Sequence, residues 1–144
     1  MTITADSRDI ICRIASGDIE AEIIARTEHA IAFLDHRPVF HGHTLIAPLH
    51  HVETLPELSP DALSPVMQLV QRVAAAMVTG LGAQGSFVAV NNTVSQSVPH
   101  LHVHVIPRTK GDGLKGFFWP RRSYAAGQAA TYADLLRNAL SLSA

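Results

Sequence analysis

Three histidines recur at every second position in His100-Leu101-His102-Val103-His104-Val105-Ile106. A β-strand turns alternate side chains to opposite faces. The spacing therefore predicts His100, His102 and His104 on one face, about 6.6 Å apart along the chain, with Leu101, Val103 and Val105 facing a core. Imidazole titrates near neutrality and ligates metals, so such a row can hold a metal, pass protons or supply a nucleophile. A single strand histidine reads most simply as a satisfied sheet residue. Three together read differently, because burying adjacent imidazoles costs more than burying aliphatic side chains. Histidines two apart also suit shared zinc ligation. Against that, the segment has no carboxylate beside it, and the polar connection Asn91-Asn92-Thr93-Val94-Ser95-Gln96-Ser97 ahead of it is rich in donors suited to an anion.

Other elements must position this row. After Asp9, the spacing of Ile10, Ile11 and Ile14 predicts a short helical turn with an apolar lip. Ser16-Gly17-Asp18 marks a turn, and the runs Ala21–Arg26 and Ala30–Leu34, parted by Thr27-Glu28-His29, read as a hairpin. Asp35-His36-Arg37-Pro38 ends the second run, since proline brings no N–H to a ladder. A third strand is expected over His43–Ala47, ending at Pro48.

Ser59-Pro60 joins a capping side chain to a proline suited to the first helical turn. Val66, Leu69, Val70, Val73 and Met77 then recur at helical steps until Gly80 and Gly82. Pro65 offers a second start, with Ser64 as its cap. Phe87–Val90 and Leu101–Ile106 are the expected fourth and fifth strands. Pro107–Tyr124 reads as loop, and a short helix opens at Thr131 with a capping-box pattern. These elements, without βαβ alternation, point to an α+β fold with an antiparallel sheet.

The length of 144 residues with 47% apolar composition fits one domain, 1–144, with a core of its own. A net charge of −1 without a basic block excludes the footprint of a duplex nucleic acid partner. No run reaches membrane-spanning length and the start lacks signal-peptide character, so no membrane partner is expected. Cys12 is the one cysteine, which rules out an internal disulfide and favours a cytoplasmic setting.

With Gln96-Ser97-Val98-Pro99 before it and Pro107-Arg108 after it, the histidine run resembles the signature of the histidine triad (HIT) family, His-x-His-x-His followed by two apolar residues. The resemblance extends upstream through Ile14, Gly17–Glu22, Ala32-Phe33-Leu34-Asp35, Gly42-His43-Thr44-Leu45-Ile46-Ala47-Pro48 and His51-Val52. It covers residues 9–108, leaving 109–144 as a carboxy-terminal loop and short helix. It implies a five-stranded antiparallel sheet with one long helix, short terminal helices and a homodimer.

The implied activity is a nucleotide hydrolase or transferase acting at the α-phosphate of nucleoside phosphoramidates or related purine nucleotides, through a covalent nucleotidyl-histidine. The alternatives are a dinucleoside polyphosphate hydrolase or phosphorylase with the same nucleophile, and a nucleotide-binding module with weak catalysis. By resemblance His102 is the nucleophile, and a neutral imidazole suits that task without a strong base. A backbone carbonyl of the same strand would hold its other nitrogen as a donor. His104 would serve the phosphate and leaving group, including proton delivery. His100 and His43 would support the ring geometry.

Ser97 and Gln96 match the phosphate loop, which must supply donors to the non-bridging oxygens. Asn91 would reach the α-phosphate or leaving group. Asp35 resembles the ribose-binding acid, its two oxygens suited to the 2′ and 3′ hydroxyls. Ile10, Ile11, Ile14 and Phe33 match the walls of the base pocket. The chain departs from the usual pattern at Asn91–Gln96, which is shorter and carries Val94-Ser95 in place of small residues. Substrate preference is expected to reside there.

No cofactor is required by this chemistry. Many relatives bind a structural zinc through Cys-x-x-Cys and two histidines, and the corresponding positions are Asp9, Cys12, His51 and His100. One thiolate is replaced by a carboxylate, a ligand zinc accepts less readily. Read alone, Cys12 is a small buried residue. In Gly116–Arg122 the aromatics Phe117, Phe118 and Trp119 suit a partner surface or a fold-back onto the core, and Arg121 and Arg122 read as solvated surface or as contacts to the far portion of a substrate.

Overall fold

The computed structural model describes residues 8–114 and 121–142. It runs α1 (Ile10–Ala15), β1 (Ile23–Arg26), β2 (Ala30–Leu34), β3 (Thr44–Pro48), a 3-10 turn at Leu55–Glu57, α2 (Pro60–Leu81), β4 (Gly85–Val90), β5 (Val103–Arg108) and α3 (Gln128–Leu142). The five strands pair antiparallel in the order β1-β2-β3-β5-β4, giving the expected α+β architecture. The chain divides into two units, residues 1–112 and 113–144, and the whole sheet belongs to the first. Among the described residues no helix is long and apolar enough to cross a membrane.

Side-chain alternation gives the sheet two dissimilar faces. Ala30, Ala32, Ile46, Val103 and Val105 pack against Val66, Leu69, Val70, Val73 and Met77, the apolar stripe of α2. On the other face Ile31, Phe33 and Ala47 meet Ile11 and Ile14 of α1. Being covered on both sides, β2 is buried from Ala30 to Phe33, which is why it reads as a continuous apolar run.

Helix α2 passes through Pro65 without a break. The proline removes only the donor to the carbonyl of Asp61, an exposed residue near the helix start whose oxygen water can serve. The alternative start at Ser64 is not used; its Oγ accepts from Gln68 Nε2 at 3.0 Å. Ser59 caps the helix, and Gly82 ends it at φ 71°, where its N–H reaches the carbonyl of Val78.

Strand β5 starts at Val103 rather than Leu101, because the N–H of Leu101 leaves the ladder for the carbonyl of Val52 at 2.7 Å. It continues through Pro107 to Arg108. Strand β3 pairs only with Val103–Val105, so the missing N–H of Pro107 breaks no bond there. In the second unit, α3 begins at Gln128, so Thr131 lies inside the helix and its hydroxyl donates back to the carbonyl of Gly127. The Gly116–Pro120 part of the aromatic stretch lies outside the described residues, while Arg121 and Arg122 are exposed.

Candidate active site

The face opposite α2 carries the histidines. Val103 and Val105 point to α2, so His104 points away and emerges beside Leu45, its register partner on β3. His100 and His102 precede the strand; the rings of His102 and His104 both face the cavity, 5.0 Å apart, whereas that of His100 is set among Asp9, Cys12 and His51. Pro99 and the diverted amide of Leu101 turn the chain, and Leu101 packs into a separate cluster with Val52 and Leu58. The rings thereby acquire different surroundings.

Two backbone groups fix two opposite tautomers. His102 Nδ1 lies 2.7 Å from the carbonyl oxygen of His100. A carbonyl only accepts, so Nδ1 carries the hydrogen and Nε2 keeps a bare lone pair. At His43, the amide of Val39 donates to Nδ1 at 3.1 Å, which leaves the hydrogen on Nε2. That Nε2 lies 2.9 Å from His104 Nδ1 and donates to it, so the hydrogen of His104 sits on its Nε2. A bare nitrogen and an N–H donor thus stand on neighbouring rings, whose centroids are 5.0 Å apart.

Burial pushes His104 down to about 4, helped by the charges of His102 and His43 and opposed by Asp35. His43 is also lowered, again by burial first, with Asp35 opposing and His102 assisting. Neutral rings are what the hydrogen-bond chain from Val39 requires.

Both catalytic candidates open into a cavity of about 770 Å³, within the range of small-molecule sites. Ile10, Ile11, Ile14 and Phe33 line it as the sequence suggests, and so do Asp35 and Ser97. Asp35 Oδ1 accepts from the amide of Arg37 at 2.9 Å, which fixes the carboxylate on the turn after β2. His43 is buried behind His104 and does not line the space.

Asn91 and Gln96 are not part of the lining either. The Gln96 side chain accepts from the amide of Thr93 and donates to the carbonyl of Glu53, while Asn92 Oδ1 accepts from the amide of Leu55. These bonds brace a short loop in which Thr93 and Ser95 adopt positive φ, a strained arrangement for residues other than glycine. Sequence reasoning missed Leu45 and Val98, which complete the apolar wall, and Glu20 and Glu22 at its rim. Strand alternation gives Leu45 away, since its neighbour Ile46 faces α2. The Val39 amide had no sequence signal, because any residue type offers the same N–H.

A second cluster lies apart from the cavity: Asp9, Cys12, His51 and His100 bring one ligand atom each to within 4.8 Å of one another. Asp9 Oδ2 is 2.8 Å from His51 Nδ1, 3.2 Å from His100 Nδ1 and 3.3 Å from Cys12 Sγ. Cys12 Sγ is 3.4 Å from His100 Nδ1 and 3.8 Å from His51 Nδ1. Tetrahedral zinc with ordinary bond lengths needs ligand spacings of roughly 3.3–3.8 Å, which the three Cys12 contacts meet and the Asp9–His51 pair, at 2.8 Å, reaches by opening about half an ångström.

Two of these residues are also held from behind: Asp9 Oδ1 accepts from the amide of Cys12, and His100 Nε2 faces the carbonyl of Pro48 at 2.9 Å. Such outer contacts orient ligands towards an ion. The four residues therefore fit a zinc-class ion, which would brace the fold there, since none of them lines the cavity. Burial raises the Cys12 thiol to about 11, with Asp9 adding to the shift. Burial opposes the charge of Asp9, yet hydrogen bonds from Cys12 and the proximity of His100 outweigh it and keep the carboxyl below its usual range.

Comparison with known proteins agrees with this geometry. The model of the HIT domain matches residues 16–111. The chain is 34% identical over 113 residues to an adenosine 5′-monophosphoramidase of Schizosaccharomyces pombe, covering 77% of this chain and 82% of that protein. It superposes on the crystal structure of a HIT family member from Bacillus subtilis with a TM-score of 0.84 at 29% identity, over 91% of this chain and 96% of the other. A zinc-bound histidine triad family protein from Mycobacterium smegmatis matches with a TM-score of 0.72 at 33% identity, over 94% and 99% of the two chains. Matching domain model, relatives and fold together show that the chain belongs to the histidine triad family.

Proposed function

We propose that the protein is a nucleotide hydrolase or transferase that cleaves nucleoside 5′-phosphoramidates, with purines favoured, through a covalent nucleotidyl-His102. The observation that carries this reading is the pair of opposite tautomers facing one cavity, a bare Nε2 on His102 beside an Nε2–H on His104. The Schizosaccharomyces pombe relative, a phosphoramidase by name, supports the choice of leaving group.

In the first step the lone pair of His102 Nε2 attacks the α-phosphorus and the P–N bond breaks. The departing nitrogen takes a proton from His104. That ring is neutral in the free protein, but a bound phosphate anion raises its proton affinity, so a second proton is acquired with the substrate on Nδ1, where the contact from His43 Nε2–H gives way, and Nε2–H stays directed at the leaving group. In the second step water attacks the phosphorus and gives a proton to the His104 ring that the first step left neutral, the P–Nε2 bond breaks, and the nucleoside monophosphate leaves with the His102 imidazole restored. The imidazole is itself the nucleophile, so no cofactor enters either step.

Ser97 is assigned to the non-bridging oxygens and Asp35 to the ribose hydroxyls. Gln96 keeps the phosphate loop in shape, and Asn91 stands at its start. The apolar walls favour a purine through contact area. A homodimer fits the open edge of β4 and the exposed apolar side chains Met67, Val78, Leu81 and Val88 on α2 and β4. The lone cysteine fits a cytoplasmic setting.

Adenosine 5′-phosphoramidate hydrolysis tests the reading, run beside a panel of dinucleoside polyphosphates and uridine analogues. Turnover of the phosphoramidate is expected, with AMP as product. A His102→Gly chain should bind AMP and turn nothing over. Inactivity of the wild-type chain on the whole panel would remove the enzyme reading.

A further inference from the structure

The Asp9, Cys12, His51 and His100 cluster joins three segments that matter to the cavity. Asp9 and Cys12 belong to the start of α1, whose Ile10, Ile11 and Ile14 form the cavity wall. A helix of six residues has little stability of its own, so its position depends on what ties it down. His51 follows β3. His100 contributes a fully buried ring to the cluster and, through its carbonyl, the acceptor that holds Nδ1–H of His102. One residue therefore touches both the cluster and the nucleophile.

Resting on the nucleotide reading above, we propose that a zinc-class divalent ion at this cluster is a clasp coupling the cavity wall to the catalytic segment, so that ion and nucleotide each raise the other's affinity. Ligation of Asp9 and His100 by one ion fixes α1 and the His100 carbonyl relative to each other. That lowers the ordering cost of closing the wall on a base while the nucleophile is held in its reactive tautomer. His51, His100 and Cys12 all converge on one carboxylate oxygen, Asp9 Oδ2, so an ion bound there would tie the three segments at one point. The cluster is also accessible: the side chain of His51 is 48% exposed, whereas those of Asp9 and His100 are 5% and 0% exposed. An ion can enter and leave past His51, so occupancy can vary. His100 acts here as a positioning residue, and linkage requires the coupling to be the same in both directions.

The test uses full-length protein stripped with a chelator and the same protein reloaded with zinc. AMP affinity is measured by calorimetry on both forms, and zinc affinity by competition with a chromophoric chelator, with and without AMP. The expected results are one zinc per chain, a higher Tm on loading, an AMP Kd lowered about fivefold or more, and a zinc Kd lowered by the same factor when AMP is present. His51→Ala leaves the Asp9 cap on α1 intact; it should lose tight zinc binding and show the AMP affinity of stripped wild type whether or not zinc is added. Lack of stoichiometric zinc uptake overturns the proposal, and so does uptake that leaves the AMP Kd unchanged. Absence of AMP binding in both forms overturns the nucleotide reading and the coupling together, and a normal zinc titration in those samples identifies that reading as the source of the failure.

Discussion

His43 Nε2 lies 2.9 Å from His104 Nδ1, and the amide of Val39 occupies the far nitrogen of His43. The main chain between β2 and β3 thus dictates which nitrogen of His104 carries its hydrogen. Replacing His43 by Ala removes that constraint. We expect kcat for a phosphoramidate to fall about 10- to 100-fold with little change in KM. The loss should shrink for an aryl phosphodiester substrate, whose leaving group departs without a proton. Equal losses on both substrates would show that His43 acts elsewhere.

The titration of His104 offers a second check. In the free protein its ring should titrate at about 4, since burial and the neighbouring rings disfavour its charge, and histidine NMR should see the value rise when AMP is added. An unfolded histidine titrates at about 6.5. The unfolded chain therefore binds more protons between these values, and the folded state is fully stable above about pH 6.5 and weakens as pH falls towards 4. His43 acts in the same direction. Denaturant unfolding at about pH 7 and about pH 4.5 should differ by ~2 kcal/mol from His104 after solvent screening, and His104→Ala should reduce the difference.

Asp35 should govern the sugar. A carboxylate accepting from two hydroxyls contributes about 1.5–3 kcal/mol, so Asp35→Ala should raise KM for a ribonucleotide by about tenfold or more. For the 2′,3′-dideoxy analogue the wild type and the variant should be equally poor. A variant that still prefers the ribonucleotide by the wild-type margin would place the ribose elsewhere.

Leu69 is 2% exposed on the buried stripe of α2, against the face of the sheet away from the cavity. Leu69→Ala should cost about 2–5 kcal/mol in unfolding free energy and leave kcat of the folded fraction unchanged. A matching loss of kcat would mean that the α2 face and the histidine face are not independent.

Much of this was legible in the residues. Helical spacing on α2 named the buried stripe residue for residue, and strand alternation separated His104 from its valine neighbours. The resemblance brought Asp35, Ser97 and the α1 isoleucines to one space, and the cavity joins them. The illegible parts are main-chain events. The early start suggested for β5 failed because the Leu101 amide bonds to Val52, a partner 49 positions away in sequence, where no local pattern points. A row of equivalent rings became unequal for the same reason. Gln96 is legible as a residue of the phosphate loop, but the Thr93 amide and the Glu53 carbonyl that hold its side chain are main-chain groups whose positions depend on loop geometry.

The central claim is that His102, with its Nδ1–H held by the His100 carbonyl, attacks phosphorus directly. It is tested most directly by rapid acid-free quenching of the protein with adenosine 5′-phosphoramidate and mapping of any adenylyl group by peptide mass spectrometry. The result expected is one adenylyl group per chain on the peptide carrying His102, absent from His102→Gly. Adenylyl on another residue, or single-turnover hydrolysis with no adduct at any time point, would contradict it.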